Sequence, residues 1–244
     1  MAVLMNAVVI PAVCLWTLFS ILLFPLAFGL LKISTGAASD RAMRYLIYVY
    51  GKIVLGLMRP FVPFTSEGFA NAGVGPPCIL VSNHQSFFDV YCLALFPFSD
   101  VVLAIRAWPF KMAWYAPFMR LAGYLDVERK EWEAVKEAAH TFLQRGAALL
   151  FFPEGHRSRD GKLQRFHSGP FQLAVETGAP VVPVCLSGTY QVLPPGRWWL
   201  KPAAVTLKAL EPVDPRRFSG PAAHRELGRF VRSEMARCLE DMGR

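Results

Sequence analysis

The sequence predicts an α/β fold, a mixed central sheet flanked by helices, preceded by an N-terminal membrane-embedded helical segment. Three observations carry this expectation. From residue 78 onward, short apolar runs alternate with helical patterns, the signature of strands covered by helices. Residues 1–31 hold no charged side chain. The 244-residue chain is 54% hydrophobic and 18% charged, more apolar than soluble domains usually are.

Taken in order, the first stretch is long enough for a bilayer: about 31 residues at the helical rise extend roughly 46 Å, against a hydrocarbon core of roughly 30 Å. No basic residue precedes it and no convincing small-residue cleavage pattern is present, so it reads as an anchor rather than a secretory signal. Pro11 and Pro25 each remove a backbone donor, and kinks are expected there. After a polar turn, Ser39 or Asp40 caps a second helix running to about Met58. Its apolar residues mix with Arg41, Arg44, Lys52 and Arg59, an interfacial pattern. Residues 1–60 therefore form a membrane anchor, either one span or a re-entrant two-helix motif. Up to residue 60 all five basic residues follow the apolar stretch, which places the body on the cytoplasmic side.

Residues 61–77, rich in Pro and Gly, read as a linker, and 78–244 as the main domain. Within it, strands are expected at 78–81, 101–105, 124–127, 147–152, 181–186 and 203–210. Trp132, Val135, Ala139 and Phe142 mark a helix ending before Gly146, and a short helix around 171–175 ends at Gly178. Leu227, Phe230, Val231, Met235 and Leu239 mark an amphipathic closing helix.

The net charge of +8, on so apolar a chain, favours anionic lipid or phosphorylated substrates over nucleic acid. Five scattered cysteines with no C-x-x-C pair read as reduced packing thiols, neither a disulfide framework nor a zinc site. There is no G-x-S-x-G elbow, no G-x4-G-K-[ST] phosphate loop and no set of metal ligands, so no metal or cofactor is expected.

The chemistry concentrates in two places. In Val81-Ser-Asn-His-Gln-Ser-Phe-Phe-Asp89, His84 follows a predicted buried strand and Asp89 stands five positions on. A neutral imidazole there accepts a proton from a hydroxyl near neutral pH, and a carboxylate on its other nitrogen fixes the tautomer. On one continuous helix the two would diverge by about 140°, so His84 must precede the helix and Asp89 must lie in its first turn. A competing explanation needs no chemistry: Ser86-Phe-Phe-Asp89 fits the S-x-x-D capping pattern. The second place is Phe151-Phe-Pro-Glu-Gly-His-Arg-Ser-Arg-Asp-Gly161, where a core strand opens into a basic loop. Arg157 is the natural fork for a phosphate, and Glu154 suits a cationic or hydroxyl group. For Arg159, Lys162 and Arg165, solvated surface charge is an equally good account.

Together, Asn83-His84-x4-Asp89 and Phe152-Pro-Glu-Gly-His-Arg157 resemble the H-x4-D and F-P-E-G-x-R boxes of the PlsC-type 1-acylglycerol-3-phosphate acyltransferases, lysophospholipid acyltransferases with a glycerolipid acyltransferase-like fold. Val181-Val-Pro-Val184 is similar to the family's fourth block. The resemblance, over residues 78–210, implies acyl transfer from acyl-CoA or acyl carrier protein to a lysophospholipid hydroxyl, at the cytoplasmic face of a bacterial inner membrane. It makes His84 the general base and Asp89 its orienter. Glu154, Gly155, Arg157, Arg106 and Asn83 become substrate-binding residues. Arg106 replaces the lysine of the second block, and Trp108, Ala113 and Ala116 depart from it further, although Gly123-Tyr-Leu-Asp-Val-Glu-Arg129 keeps its ending. The acceptor is accordingly open between 1-acylglycerol-3-phosphate and others, such as a lyso-ornithine lipid or lysophosphatidylglycerol. A catalytically silent membrane-surface scaffold is the alternative of another class.

Overall fold

The computed structural model of the chain describes residues 1–70, 72–113 and 115–243. Two long helices lead, α1 (Ala2–Thr35) and α2 (Ser39–Met58), followed by β1 (Phe64–Glu67) and β2 (Cys78–Ser82). A 3-10 helix (Phe87–Leu95), β3 (Val101–Ile105), a short 3-10 turn (Trp108–Lys111), α3 (Ala116–Leu121) and β4 (Leu125–Asp126) come next. The chain continues through α4 (Trp132–Gln144), β5 (Ala148–Phe151), α5 (Gly169–Thr177), β6 (Val181–Ser187) and α6 (Thr189–Val192). It closes with β7 (Val205–Ala209) and α7 (Ala223–Met242).

The strands form one sheet in the order β1-β7-β6-β2-β5-β3-β4. Every neighbouring pair is parallel except β6 with β7. Burial explains the apolar runs: β2 and β5 are buried at every position and β6 at all but its last, as strands covered on both faces must be. β7 instead alternates buried and half-buried residues, because one of its faces is less covered. α5 ends where Gly178 takes the left-handed conformation. Cys78, Cys92, Cys185 and Cys238 are buried and Cys14 is exposed, all as free thiols. Burial alone pushes the Cys78 thiol up to about 12, so it stays protonated and inert.

Three expectations change. The stretch 61–77 holds β1, which pairs in parallel with β7 from Phe64↔Val205 to Glu67↔Lys208, so the sheet begins inside the predicted linker. Only one of its four residues is even half-buried, so it carries no apolar run to read. Second, neither Ser39 nor Asp40 caps α2. The N-cap is Ala38 without a side-chain bond, Ser39 Oγ accepts from Lys32 Nζ at 2.7 Å, and Asp40 pairs with Arg44. Third, α2 is not interfacial along its whole length. Arg44 is 3% exposed, donating to Asp100 Oδ1 at 2.6 Å and to the Ala122 carbonyl at 2.7 Å, with its guanidinium over the Phe142 ring. Met43, Val54, Leu55 and Met58 belong to the core shared with the sheet, so a boundary at residue 60 does not separate an anchor from a body.

α1 runs unbroken through Pro11 and Pro25 and is long and apolar enough to cross a membrane. One side touches the body from its first turns to Phe24: Met5 and Val9 are buried, and Phe24 meets Phe118 edge-on at 5.1 Å. The opposite side leaves Leu15, Leu18, Leu22, Leu26 and Leu30 exposed.

Candidate active site

The site lies beyond the carboxyl ends of β2 and β5, which are neighbours in the sheet. Ligand sites of open α/β sheets belong at such ends. From β2 the chain runs straight into Asn83 and His84, and from β5 into Phe152, Pro153 and Glu154. The two loops are therefore adjacent before any side chain is considered.

His84 Nδ1 lies 2.7 Å from Asp89 Oδ2. A carboxylate only accepts, so Nδ1 carries the proton and Nε2 keeps a lone pair. Among the described residues Nε2 has no hydrogen-bond partner, and the side chain is 18% exposed, enough for a substrate hydroxyl to reach it. The ring stacks on Phe152 at 4.2 Å, which holds its plane. Asp89 Oδ2 also accepts from the backbone N–H groups of Gln85 (2.7 Å) and Ser86 (2.9 Å). Ser86 Oγ accepts from Phe88 N–H, completing the capping box. The chemical pair and the cap thus coexist, on a 3-10 rather than an α-helix. Asp89 Oδ1 is buried without a partner among the described residues.

The basic loop is built around two carboxylates that accept from its own groups, Glu154 buried and Asp160 exposed. Glu154 is 2% exposed; Oε1 accepts from His84 N–H at 2.7 Å and Oε2 from Gln164 N–H at 2.8 Å. Burial raises its carboxyl above the ordinary range, while the two backbone bonds pull the other way. Glu154 was expected to hold a substrate group, yet both its oxygens accept from the protein: it fastens the backbone of His84 to the loop. Ser158 N–H donates to the His84 carbonyl at 2.8 Å. Asp160 Oδ1 accepts from Ser158 Oγ and Lys162 N–H, and its carboxyl is held below the usual range by those bonds. Gly155 adopts φ +71°, and a Cβ there would meet the His167 ring at 3.1 Å. Arg157, next to Ser158, is exposed and its guanidinium has neither a hydrogen bond nor an ion pair among the described residues, so its fork is free for an anion.

Two predicted binding residues do other work. Asn83 is 1% exposed; its Nδ2 donates to the Leu186 carbonyl and its Oδ1 accepts from Leu186 N–H, both at 2.8 Å. With both ends of the amide consumed, it locks β2 to β6 and offers nothing to a substrate. Arg106 is paired through its guanidinium with Glu128, whose other oxygen accepts from Ala107 N–H at 2.9 Å. It lies on the surface with a local partner, so it is not a free anion fork.

An apolar cavity of about 450 Å³ begins just past the cap, where Phe87, Val90 and Tyr91 face Trp16 and Phe19 of α1 and Phe118 of α3. Sequence reading missed it because its walls come from five separate stretches of chain. Gln85, Gln164 and Arg232 were missed too. Gln85 Nε2 donates to the Gly161 carbonyl, and Arg232 Nε to that of Gln164, so each braces the basic loop from a distance.

The Acyltransferase family model matches residues 64–187, half of the chain, beginning at β1 and ending with β6. The chain belongs to the acyltransferase family. Among members of that family, a chloroplastic 1-acyl-sn-glycerol-3-phosphate acyltransferase of Brassica napus is 36% identical over 148 residues, 56% of this chain and 41% of the relative. The 1-acyl-sn-glycerol-3-phosphate acyltransferase of Escherichia coli K12 is 27% identical over 184 residues, covering 74% and 71%. The chain thus spans about two fifths of the Brassica relative's length. Among solved structures, the 1-acyl-sn-glycerophosphate acyltransferase PlsC of Thermotoga maritima superposes with a TM-score of 0.76 at 28% identity. That match covers 100% of this acyltransferase-family chain and 98% of the other. The PlsC-type resemblance of the two boxes and the mixed α/β architecture therefore hold.

Proposed function

We propose that the chain is a membrane-bound O-acyltransferase. It moves an acyl group from acyl-CoA or acyl carrier protein to the hydroxyl of a lysophospholipid, with 1-acylglycerol-3-phosphate as acceptor and phosphatidic acid as product. The observation that carries this reading is the 2.7 Å bond from His84 Nδ1 to Asp89, with Nε2 left free. The acceptor hydroxyl gives its proton to Nε2 as its oxygen attacks the thioester carbonyl. Asp89 stabilises the resulting imidazolium, and collapse of the tetrahedral adduct expels the thiolate, which takes the proton back. No acyl-enzyme is needed. Arg157 binds the acceptor phosphate, and the apolar cavity receives an acyl chain. The names of the plant and bacterial relatives support the acceptor.

The same reading places α1 in the plane of one leaflet of the membrane. A helix seated on the body from Met5 to Phe24 does not stand across a bilayer without drawing the body in, whereas its exposed leucines suit the acyl region. Because Arg106 is committed to Glu128, the acceptor panel must extend beyond 1-acylglycerol-3-phosphate.

The test is mass spectrometry of products from purified protein offered several lysolipids, lysophosphatidylglycerol and lyso-ornithine lipid included, with both donors. Phosphatidic acid is the expected product, and His84→Ala should lower turnover by about 10²–10⁴. A silent scaffold would release no thiol from any combination. Near-normal turnover in His84→Ala would remove the base assignment.

A further inference from the structure

Two tryptophans lie outside everything the catalytic reading uses. Trp198 is 88% exposed and Trp199 53%, in the Pro194-Pro-Gly-Arg-Trp-Trp-Leu-Lys201 loop that follows α6. Adjacent indoles held in water mark an interaction surface, and Trp, with an apolar ring and one N–H, prefers the headgroup level of a bilayer. The loop is braced rather than loose. Arg197 Nε donates to the Trp199 carbonyl at 2.9 Å and Nη2 to that of Gln191 at 2.6 Å. Lys201 N–H donates to the Val192 carbonyl at 3.0 Å. With its arginine turned inward to hold the backbone, the loop presents the indoles and leaves Lys201 exposed.

Its position names the occupant. Asn6 of α1 clasps Leu200 in both directions, Nδ2 to the carbonyl and Oδ1 from the N–H, each at 2.8 Å. On α1, Val3, Leu4 and Val8 around that clasp are exposed, so the tryptophans extend the apolar surface of the helix. The root of the loop reaches the site: Ser86 Oγ donates to the Leu193 carbonyl at 2.6 Å, and Tyr190 Oη to that of Arg159 at 2.9 Å. One stem therefore touches both the capping residue of the His84–Asp89 pair and the basic loop.

We propose that residues 194–201 are a second membrane-docking element. Trp198 and Trp199 seat in the interface of the leaflet that α1 occupies, Lys201 meets anionic headgroups, and the braced stem sets the height and tilt of the active site over the bilayer. This rests on the reading that α1 is embedded, and the experiment separates the two. In a Cys14→Ser background only buried thiols remain. Trp198→Cys and, separately, Leu22→Cys on α1 are spin-labelled in the full chain and bound to vesicles of phosphatidylcholine and phosphatidylglycerol. The expected result is that both labels are shielded from a water-soluble relaxant and reached by oxygen. A label at 198 open to water, with Leu22 shielded, overturns the docking element and leaves the anchor standing. Both labels open to water overturn the anchor reading and the proposal together.

The second arm compares turnover. Trp198→Ala with Trp199→Ala should lose roughly tenfold on lysolipid embedded in vesicles and nothing on the same lysolipid in detergent micelles. An equal loss in both, as a protein-facing or purely structural role would give, overturns the proposal.

Discussion

At the scale of single residues, the carboxylates divide by what their oxygens face. Asp89 gives one oxygen to His84 and to two backbone N–H groups; the H-x4-D spacing made the first role legible and the S-x-x-D spacing the second. Glu154 was legible as a site residue but not in its role, since its partners lie 70 and 10 positions away. Both partners are N–H donors, so an amide must turn its NH2 against one of them. Glu154→Gln is therefore expected to cost about 1–3 kcal/mol. Because burial raises the folded-state pKa of Glu154, its contribution to stability is fullest below the unfolded value and declines as pH rises through the folded one. The gap in melting temperature between wild type and Glu154→Gln should be widest in acid and narrow toward neutral pH, as thermal melts across that range would read. Arg157, exposed and unpaired, should behave oppositely. Arg157→Ala is expected to leave the melting temperature unchanged and to raise KM for a phosphate-bearing acceptor roughly ten- to hundredfold, and an unchanged KM would remove its phosphate role.

At the scale of elements, apolar runs located the buried strands because a strand covered on both faces has no polar positions. β1 escaped because three of its four residues are exposed and only backbone pairing to β7 makes it a strand. Asn83 shows how elements fix the site. Its carboxamide continues the ladder between β2 and β6 one residue past Ser82↔Val184, and His84 follows immediately. Asn83→Ala should leave the Leu186 N–H and carbonyl unpaired at about 1–3 kcal/mol each. It should lower kcat by letting His84, the proposed base, drift. Calorimetry with steady-state kinetics tests this, and a variant that melts normally yet turns over slowly would instead point to direct substrate contact. Gly188, between β6 and α6, tolerates no side chain: φ is +91° and a Cβ would sit 1.9 Å from the Ala204 carbonyl oxygen.

For the whole molecule, the N-terminal helices are part of the fold as well as the proposed lipid contact. α2 carries Arg44 into the interior against Asp100, and α1 walls the apolar cavity. The net charge of +8 invites a purely electrostatic account of membrane binding, but salt screens charges beyond about 8 Å at physiological strength while apolar burial is not screened. The full chain should consequently stay with sedimented phosphatidylcholine–phosphatidylglycerol vesicles after a high-salt wash. Release by salt alone would show that α1 rests on the headgroups without entering the acyl region.

Sequence by itself determined the α/β class, the buried strands, the His84–Asp89 spacing and the basic loop that carries Arg157, because each is written in local periodicity or in residues a few positions apart. Only the tertiary structure decided that Asn83 and Glu154 hold the site together, that Arg44 is interior, and that a cavity opens beside the cap. It also set the tryptophan loop on the first turns of α1. These depend on which distant backbone groups are left without partners once the sheet has formed. A buried polar side chain takes whatever donor or acceptor the fold brings to it.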